Sequence, residues 1–544
     1  MRTTLLRNGK IIDGTGSAAA EGHLLIEDDK ISAVLKKGAE APDADNVIDV
    51  AGCVISPGFI DMHSHSDWLM SDEGHPKLMK HFIEQGITTV VGGNCGFSPA
   101  PIHQETLEML DHNLASMLAD KPIDYTWESV GGFLDCVDET GPALNIAELV
   151  GHATVRIAAS RTRRGEMPPE ELNKCLDEVR RSFDEGACGL SFGLGYDPGM
   201  YSPIEELEAF SKVAAEAGKP ITVHQKALSI ISPTYPYTYI RPHNLRALKE
   251  IIDVAKSTGV KLQVSHLIYV GRRSWNTAQP SLEMIDQARK GGVDIMFDAL
   301  PYMCGNTTIN AVMPYWFLAM GERGYKSALA RARLRAELEI GFRLVGFMYK
   351  DFQVMDAGIE GEDDLAGLRI DEVARRWNTS PFNALLKLSE LSEGKTQMLF
   401  HTYSGEPGRE EALEATLSHE LCLFETDALV KSKGYKNPAA LGGFPRILGE
   451  FVRERKLFSI ENAVNRMTGA SAERFGMKDR GVLAKGKMAD IVIFDQGAIA
   501  DTPPVGNQPA GKPKGIKHVF INGVHTLKEG RIQQGTRPGR VIRI

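Results

Sequence analysis

Two histidines separated by a single residue, His63 and His65, follow an apolar stretch that ends at Ile60. In an extended strand, alternate side chains point to the same face, so both imidazoles could bind one cation. A buried histidine needs a polar partner or a metal, and imidazole is a common metal ligand. The pair therefore indicates a metal site, against the alternative of two histidines in a surface loop.

Further side chains of ligand type follow other apolar runs of the chain, namely Cys95, His224, His266 and Asp427. Each of them alone has a structural alternative, as a buried thiol, a core histidine or a helix cap. Together with the histidine pair they come after successive strand-like runs. That joint pattern favours one shared site over coincidence.

Strand-like runs that alternate with helical segments predict an α/β fold, a (β/α)8 barrel of the TIM type. The eight runs are 54–60, 88–92, 144–150, 188–192, 220–223, 261–264, 293–297 and 421–424. In such barrels, the residues that do chemistry follow the carboxyl ends of the strands. The interval before the last run is far longer than a crossover needs, so residues 303–395 are predicted to form an inserted lid subdomain.

Short strand-like runs at both ends of the chain predict a second, smaller domain. Residues 1–54 have a predicted turn at Asn8-Gly9, and residues 476–544 contain the runs 488–495, 516–521 and 540–543, with a turn at Asn522-Gly523. Neither end alone could bury a core. We therefore expect one β-sandwich built from both termini, with the barrel at 55–475 between them and a solvated loop at 501–515.

The composition is that of a globular protein with a small-molecule substrate. The chain has 62 Lys and Arg against 71 Asp and Glu, a formal net charge of -9, and no basic block that would indicate a nucleic-acid partner. No apolar run is long enough to cross a membrane. Seven widely spaced cysteines predict reduced thiols and a cytoplasmic location. Assembly into a homo-oligomer is left open.

Longer motifs make the chain similar to a known superfamily. The run Pro57-Gly-Phe-Ile-Asp-Met-His-Ser-His resembles the opening signature of the metal-dependent amidohydrolases. Within that superfamily, the sequence resembles the N-acyl-D-amino-acid deacylases (D-aminoacylases) over almost its full length. The stretches that carry this resemblance are 92–100, 149–156, 185–199, 263–267, 443–446 and 479–491.

The resemblance implies a metal centre in which a cysteine thiolate replaces the carboxylated lysine of related hydrolases. It implies one tight zinc site with three ligands, Cys95, His224 and His266. It also implies a second, weaker site with His63, His65 and Asp427 as ligands. Thiolate and imidazole ligands favour zinc, and another divalent metal is left open.

The same resemblance implies a hydrolytic mechanism. Zinc would activate a water molecule near neutral pH and polarise the scissile carbonyl group. Asp427 would take the proton of the water and return it to the leaving nitrogen. Tyr196 lies where the family has a hydroxyl that holds the carbonyl oxygen, with packing on a loop as the structural alternative. The expected reaction is hydrolysis of the C–N bond of an N-acyl compound.

The positions where the resemblance implies cations for a substrate carboxylate differ in this chain. Ile268 and Ala439 stand at two of them, and the fifth strand continues with Lys226 instead of an arginine. An unpaired buried carboxylate costs on the order of several kcal/mol. We therefore expect a neutral or aromatic amide rather than an N-acyl-D-amino acid, bound by Lys226, Ile268, Tyr302 and Ala439.

Two alternative functions are open from the sequence. The same metal centre could act on another bond, such as a carbamate, a cyclic imide, a lactone or an activated C–C bond. A non-catalytic member of the superfamily is the other alternative. The presence of ligand-type residues at all six positions argues against it.

Overall fold

The computed structural model describes residues 2–107, 110, 123–162, 164–236 and 241–544. Its centre is a barrel of parallel strands, each paired with the next. The strands are Phe59–Asp61, Ile87–Gly92, Asn145–Gly151, Gly189–Gly193, Pro220–His224, Lys261–Val264, Ile295–Ala299 and Cys422–Phe424. The loops after the first and eighth strands close the ring, because the Asp427 N–H donates to the His63 carbonyl at 3.1 Å. The predicted barrel is confirmed.

The barrel strands are buried on both faces, as expected for a parallel sheet that helices enclose. Every residue of Ile87–Gly92 and of Pro220–His224 is buried. The helices that pack around the barrel are Pro76–Ile83, Val130–Thr140, His152–Ala159, Pro169–Asp184, Ile204–Glu216, His243–Thr258, Ala278–Lys290, Glu411–Ser418, Ala439–Arg446, Ile447–Glu454, Ile460–Met467 and Gly469–Arg474. None of the helices in the described residues combines the length and hydrophobicity that crossing a bilayer requires.

The run at 54–60, predicted as one strand, divides between two sheets. Val54–Pro57 pairs with Thr3–Ile11 and Ile491–Phe494, whereas Phe59–Asp61 begins the barrel. The break is at Gly58, where a Cβ atom would lie 2.2 Å from the Thr88 hydroxyl oxygen. The chain thus passes from one sheet to the other at a point that has no room for a side chain.

Strands from both termini join in one nine-stranded sheet. They are Thr3–Ile11, Ala20–Glu27, Lys30–Lys36, Asn46–Asp49, Val54–Pro57, Ile491–Phe494, Ile516–Ile521, Val524–Lys528 and Arg531–Ile532. The predicted turn at Asn522-Gly523 is confirmed, with φ angles of 46° and 77°. The turn predicted at Asn8-Gly9 is wrong. Asn8 has φ 64° but forms a bulge within a continuous strand, because the pairing register shifts between Leu6 and Gly9.

Two C-terminal segments also differ from the predictions. The expected loop at 501–515 contains a two-stranded sheet, Ala500–Thr502 with Gly511–Lys514. The run 540–543 does not join the terminal sheet. It lies along the third barrel strand instead, where the Ile146 N–H donates to the Arg540 carbonyl at 3.0 Å and the Ile542 N–H donates to the Ile146 carbonyl at 2.7 Å.

The segment between the seventh and eighth barrel strands forms its own small domain. Its sheet consists of Cys304–Thr308, Phe352–Asp356 and Gln397–His401, and its helices are Tyr315–Leu318, Glu322–Lys326, Ala328–Val345, Ile370–Arg376 and Pro381–Leu391. These elements enclose a separate apolar core. The inserted segment therefore extends past residue 395, where the sequence placed its end, since its last strand ends at His401. The other domain boundaries stay predictions.

Candidate metal centre

The six predicted ligands lie together at the carboxyl end of the barrel. The Cys95 Sγ atom is 3.4 Å from His63 Nε2, 3.4 Å from His266 Nε2 and 3.7 Å from His224 Nδ1. The two nitrogens of His224 and His266 are 2.8 Å apart. Asp427 Oδ1 is 3.4 Å from His65 Nε2 and 3.7 Å from His63 Nε2. His63 is therefore shared between a thiolate side and a carboxylate side.

Three of these side chains project from a backbone conformation that L-residues rarely adopt. The φ angle is 55° at Cys95, 30° at His266 and 46° at Asp427. Such conformations cost on the order of 1–3 kcal/mol each and cluster at functional sites. At His266, a hydrogen bond of 2.7 Å from its N–H to Asp298 Oδ1 fixes the turn. The fold thus holds strained loops that point ligand atoms at one another.

The charges of the site stabilise one another. Burial disfavours the Cys95 thiolate, but His63 and His266 outweigh burial and lower the pKa of this thiol well below its ordinary value. Burial likewise disfavours the His65 imidazolium, yet the contacts with Asp427 and Cys95 raise the pKa of His65 to about 10. Burial raises the pKa of the Asp427 carboxyl, and the surrounding histidines more than offset it. The thiol and the carboxyl are therefore held in their metal-binding, deprotonated forms.

Two buried carboxyl groups that the sequence analysis missed contact the far side of His63. Asp298 Oδ1 and Glu425 Oε2 each lie 3.3 Å from His63 Nδ1. A carboxylate behind a histidine orients the ring and directs the other nitrogen toward a metal. Both residues stand at the carboxyl end of a barrel strand, as the predicted ligands do. Asp298 is the second-to-last residue of the seventh strand, and Glu425 directly follows the eighth. Strand-end position was the signal that would have identified them.

A second missed pair lies beneath the loop that carries Cys95. Asp67 and Glu148 are 0 % and 1 % exposed, and Asp67 Oδ2 accepts a hydrogen bond of 2.9 Å from the Gly93 N–H. A Cβ atom at Gly92 would lie 2.4 Å from the Asp67 Cβ and 2.5 Å from Glu148 Oε2. The Gly92-Gly93 sequence is required because the carboxyl pair and the loop pack without space for side chains.

One tyrosine packs against a predicted ligand, and a second is buried near enough for the charge of Asp427 to act on it. Tyr196 comes from the loop after the fourth strand, and its ring centroid is 4.4 Å from that of His224. Burial and the nearby Cys95 raise the pKa of its hydroxyl well above the ordinary value. Tyr403, which follows the last strand of the inserted segment, has its pKa raised by burial and then by Asp427. The sequence analysis predicted Tyr196 and missed Tyr403.

Comparisons with known proteins agree with this geometry. Residues 432–533 match the sequence pattern of a family described as the amidohydrolase family. The N-acyl-D-glutamate deacylase of Alcaligenes xylosoxydans xylosoxydans is 28% identical over 99% of this chain and 96% of its own, and the D-aminoacylase of the same organism is 28% identical over 99% and 97%. The N-acyl-D-glutamate deacylase of Bordetella bronchiseptica, solved with zinc and a phosphonate inhibitor, superimposes with a TM-score of 0.81 at 28% identity over 99% of both chains.

The chain is a homologue of the N-acyl-D-amino-acid deacylases of the amidohydrolase superfamily. A structure of a D-aminoacylase with a binuclear metal centre also superimposes on this chain, with a TM-score of 0.79 at 26% identity over 99% of both chains. The protein is accordingly a hydrolase of the amidohydrolase type, which acts on carbon–nitrogen bonds other than peptide bonds.

The donor set of this deacylase homologue fits a metal ion. The ligand atoms of His63, Cys95 and His266 lie within 4.8 Å of one another, as do those of His63, His65 and Asp427. One thiolate, several imidazoles and a carboxylate are the ligands of zinc and related transition metals. Asp427 is the most accessible member, with 14% of its side chain exposed.

The four residues that the sequence predicts to bind the substrate fall into two groups in this structure. Ile268 and Ala439 pack in one buried apolar cluster with Tyr302. The Tyr302 hydroxyl donates to Asp501 Oδ2 at 2.7 Å, so this hydroxyl bonds to the C-terminal segment. Lys226 places its ammonium group 5.5 Å from the centroid of the Tyr235 ring. Burial lowers the pKa of Lys226, which has Glu250 and Arg246 as its charged neighbours instead of the metal ligands.

Proposed function

We propose that this amidohydrolase is a zinc enzyme that cleaves the C–N bond of a neutral N-acyl compound. The observation that carries the proposal is the convergence of Cys95, His224 and His266 with His63, His65 and Asp427 at one end of the barrel. The first three residues would hold the tight metal site. The other three would hold a second, weaker one.

When bound there, zinc would supply Lewis-acid activation of water and of the scissile carbonyl group. The residues of the chain would do the rest. Asp427 accepts the proton of the attacking water and returns it to the leaving nitrogen, since it is ionised and is the one carboxylate and the most accessible residue of the six. Tyr196 donates its hydroxyl proton in a hydrogen bond to the carbonyl oxygen. Asp298 and Glu425 hold the ring of His63.

The neutral substrate is supported by the charges around the mouth of the site. Ile268 and Ala439 belong to an apolar cluster, and Lys226 contacts an aromatic ring. At the positions of Ile268 and Ala439 a substrate carboxylate would meet apolar side chains, and the negative charge of Asp427 would repel it. A homo-oligomeric state, the lack of a nucleic-acid or membrane partner and a cytoplasmic location stay predictions.

A matched pair of substrates tests the proposal. The zinc-loaded protein is assayed with N-acetyl-D-methionine and with its carboxamide, N-acetyl-D-methioninamide, which differ only in one charged group. We expect the carboxamide to have the higher kcat/KM by about tenfold or more, since each 1.4 kcal/mol of lost binding is roughly tenfold. A preference for the free acid would contradict the neutral substrate. A metal analysis that finds active protein without zinc would contradict the choice of metal.

A further inference from the structure

The inserted segment carries most of the large apolar side chains that are exposed in the described part of the chain. Six of these eleven side chains belong to it, and three lie on the helix Ala328–Val345, namely Leu329 at 83% exposure, Ile340 at 58% and Leu344 at 39%. Single exposed apolar residues are ordinary on a protein surface. A group of them on one helix indicates a surface that binds a partner.

These side chains form one stripe along the outer face of the helix. Because each residue of an α-helix turns the chain by about 100°, Leu329, Ala336 and Ile340 lie within about 20° of one line, and Leu344 lies about 60° from it. Ala336 is exposed as well. A rise of about 1.5 Å per residue gives the stripe a length of about 22 Å. The residues that pack in the core of the inserted segment from the opposite face are Ala330, Leu334, Leu338 and Phe342.

The charges beside the stripe change sign at its centre. Arg333 and Arg335 precede Ala336, whereas Glu337 and Glu339 follow it. Within a single helix this order is the less favourable one, because an acidic residue that precedes a basic one by four positions stabilises a helix better than the reverse. The order is instead self-complementary, since a second copy that runs in the opposite direction brings its glutamates to these arginines.

One side of the stripe is ordered in the single chain. Arg333 Nε lies 2.8 Å from Glu337 Oε1, and the Arg333 guanidinium lies 3.9 Å from the centroid of a Trp316 ring. The ring N–H of Trp316 donates to Glu337 Oε2 at 2.7 Å. Both charged side chains are nevertheless exposed. Side chains that are held in position before association lose less conformational entropy when a partner binds.

We propose that this helix is the contact surface of a homodimer, in which two copies of the helix pair antiparallel about a two-fold axis at Ala336. That axis brings Ile340 of one copy opposite Ala332 of the other, so a large side chain meets a small one, as helix packing requires. Leu329 comes opposite Arg343 of the second copy, whose aliphatic stem covers it. Two-fold dimers of this kind, with the same surface on both subunits, are the commonest protein oligomers.

The charge order favours a second copy over a partner of another kind, and the antiparallel arrangement over a parallel one. In the antiparallel pair, Arg333 of each copy lies beside Glu337 of the other, because both residues are on the same side of the stripe. A parallel pair would place like charges beside one another, and a uniformly acidic or basic partner would meet like charge along half of the stripe. Because the stripe is smaller than a standard interface, the dimer forms weakly and depends on concentration.

Sedimentation velocity over a range of protein concentrations tests the dimer. We expect the mass of the wild-type protein to rise from that of one chain toward that of two. Ile340→Glu places a carboxylate in the apolar contact of each copy and should raise the dimer Kd by about tenfold or more. Val505→Glu is the matched control, since Val505 is also an exposed apolar residue but lies in a C-terminal loop, and it should leave the Kd unchanged. Thermal unfolding verifies that both variants are folded.

Engineered cysteines test the direction of the pairing. Interaxial distances of about 8–10 Å place the two Cα atoms of residue 336 about 4–6 Å apart, which a disulfide spans, whereas those of residue 329 lie about 21 Å apart along the helices. Under mild oxidation, Ala336→Cys should therefore form a covalent dimer on a non-reducing gel, and Leu329→Cys should not. The wild-type protein gives the background from the seven natural cysteines.

Equal cross-linking of the two cysteine variants would overturn the antiparallel arrangement. A wild-type protein that stays monomeric at every concentration, or an Ile340→Glu variant that dimerises as strongly as the wild type, would overturn the assignment of this helix as the contact surface. None of these measurements uses the hydrolytic activity. Their outcome is therefore independent of the proposed function, and a failure of either one leaves the other standing.

Discussion

Two buried polar clusters, one at each end of the barrel, differ in how their charges are satisfied. At the carboxyl end of the strands, the ligands of the metal centre lie 2.8–3.7 Å apart and three of them have positive φ angles. At the opposite end, Asp490 joins the terminal sheet to the barrel. Its Oδ2 accepts from Arg480 at 2.6 Å and from Asn145 at 3.1 Å, and its Oδ1 accepts from the Asn522 N–H at 2.7 Å.

This difference in hydrogen bonding indicates that the Asp490 cluster is structural, whereas the cluster at the carboxyl end of the strands is a site for a ligand. Each oxygen of Asp490 is bonded within the protein, so that cluster stabilises the fold without an added group. In the metal centre, lone pairs of a thiolate and several imidazoles point at one another, and the backbone is strained to bring them there. Such an arrangement is stable only with a cation or protons between the ligands. Substitutions at the two ends should therefore have different consequences.

The largest expected effect is the loss of metal and activity in Cys95→Ala. Removing the thiolate that three histidines surround should reduce kcat by about 10⁴-fold, or roughly 5.5 kcal/mol of transition-state stabilisation. Elemental analysis and steady-state assays measure both losses. Cys136→Ala, a half-buried cysteine on helix Val130–Thr140, is the control and should retain both. Full metal content in Cys95→Ala would remove the distinction between the two clusters.

Asp427→Asn should separate proton transfer from metal binding. The amide cannot accept a proton, so kcat should fall by about 10²–10⁴-fold. The tight site has its own ligands, so its metal should stay bound. The measurements are kcat at neutral pH and the metal-to-protein ratio. Near wild-type turnover would show that another group accepts the proton.

Arg480→Met should affect stability and leave catalysis unchanged. The substitution leaves the buried Asp490 carboxylate without its cation, which costs about 3–5 kcal/mol. Denaturant unfolding measures the loss, and kcat of the folded fraction should equal that of the wild type. Arg7→Met is the control in the same sheet, because the Arg7–Asp49 pair is about half exposed and should contribute less than about 1 kcal/mol. A fall in kcat for Arg480→Met would mean that the two ends of the barrel are coupled.

The smallest effect concerns a single buried histidine of the inserted segment. Burial lowers the pKa of His401 to about 3, and its Nε2 lies 3.0 Å from Gln353 Oε1. An unfolded histidine has a higher pKa of about 6.5, so the unfolded chain takes up the proton first. The stabilisation by the neutral ring is therefore complete above pH 6.5 and is lost as the pH falls toward 3.

We expect His401→Gln to remove this part of the acid sensitivity. The difference in unfolding free energy between pH 7 and pH 4 should be smaller in the variant by up to about 2 kcal/mol, since the side chain is partly exposed. Denaturant unfolding at the two pH values measures it. Identical pH dependence of the variant and the wild type would show that His401 has the same pKa in the folded and the unfolded chain.

Much of the metal centre could be predicted from the sequence because its residues follow a simple rule of position. Cys95, His224, His266 and Asp427 stand within three residues of a strand end, and the structure brings them together. Asp298 and Glu425 obey the same rule and were missed, since acidic residues are too common for one carboxylate to indicate a site. Tyr403 could not be found in this way. It follows the last strand of the inserted segment, and only the tertiary structure joins this part of the chain to the loop after His266, through hydrogen bonds of its neighbours Thr402 and Ser404.

The sequence by itself determined the barrel and the identity of the ligand-type residues, because apolar periodicity and motif spacing are local signals. It also predicted that strands from both termini form one small β-sandwich, and the structure joins them in a nine-stranded sheet. Only the tertiary structure decided which sheet takes the residues on each side of Gly58, that Asn8 forms a bulge, and that Lys226 contacts Tyr235 instead of the metal ligands. Those outcomes depend on contacts between residues far apart in the chain. The space and the charges in the folded protein determine these three outcomes, and a local sequence pattern contains no information about the space or the charges that distant residues provide.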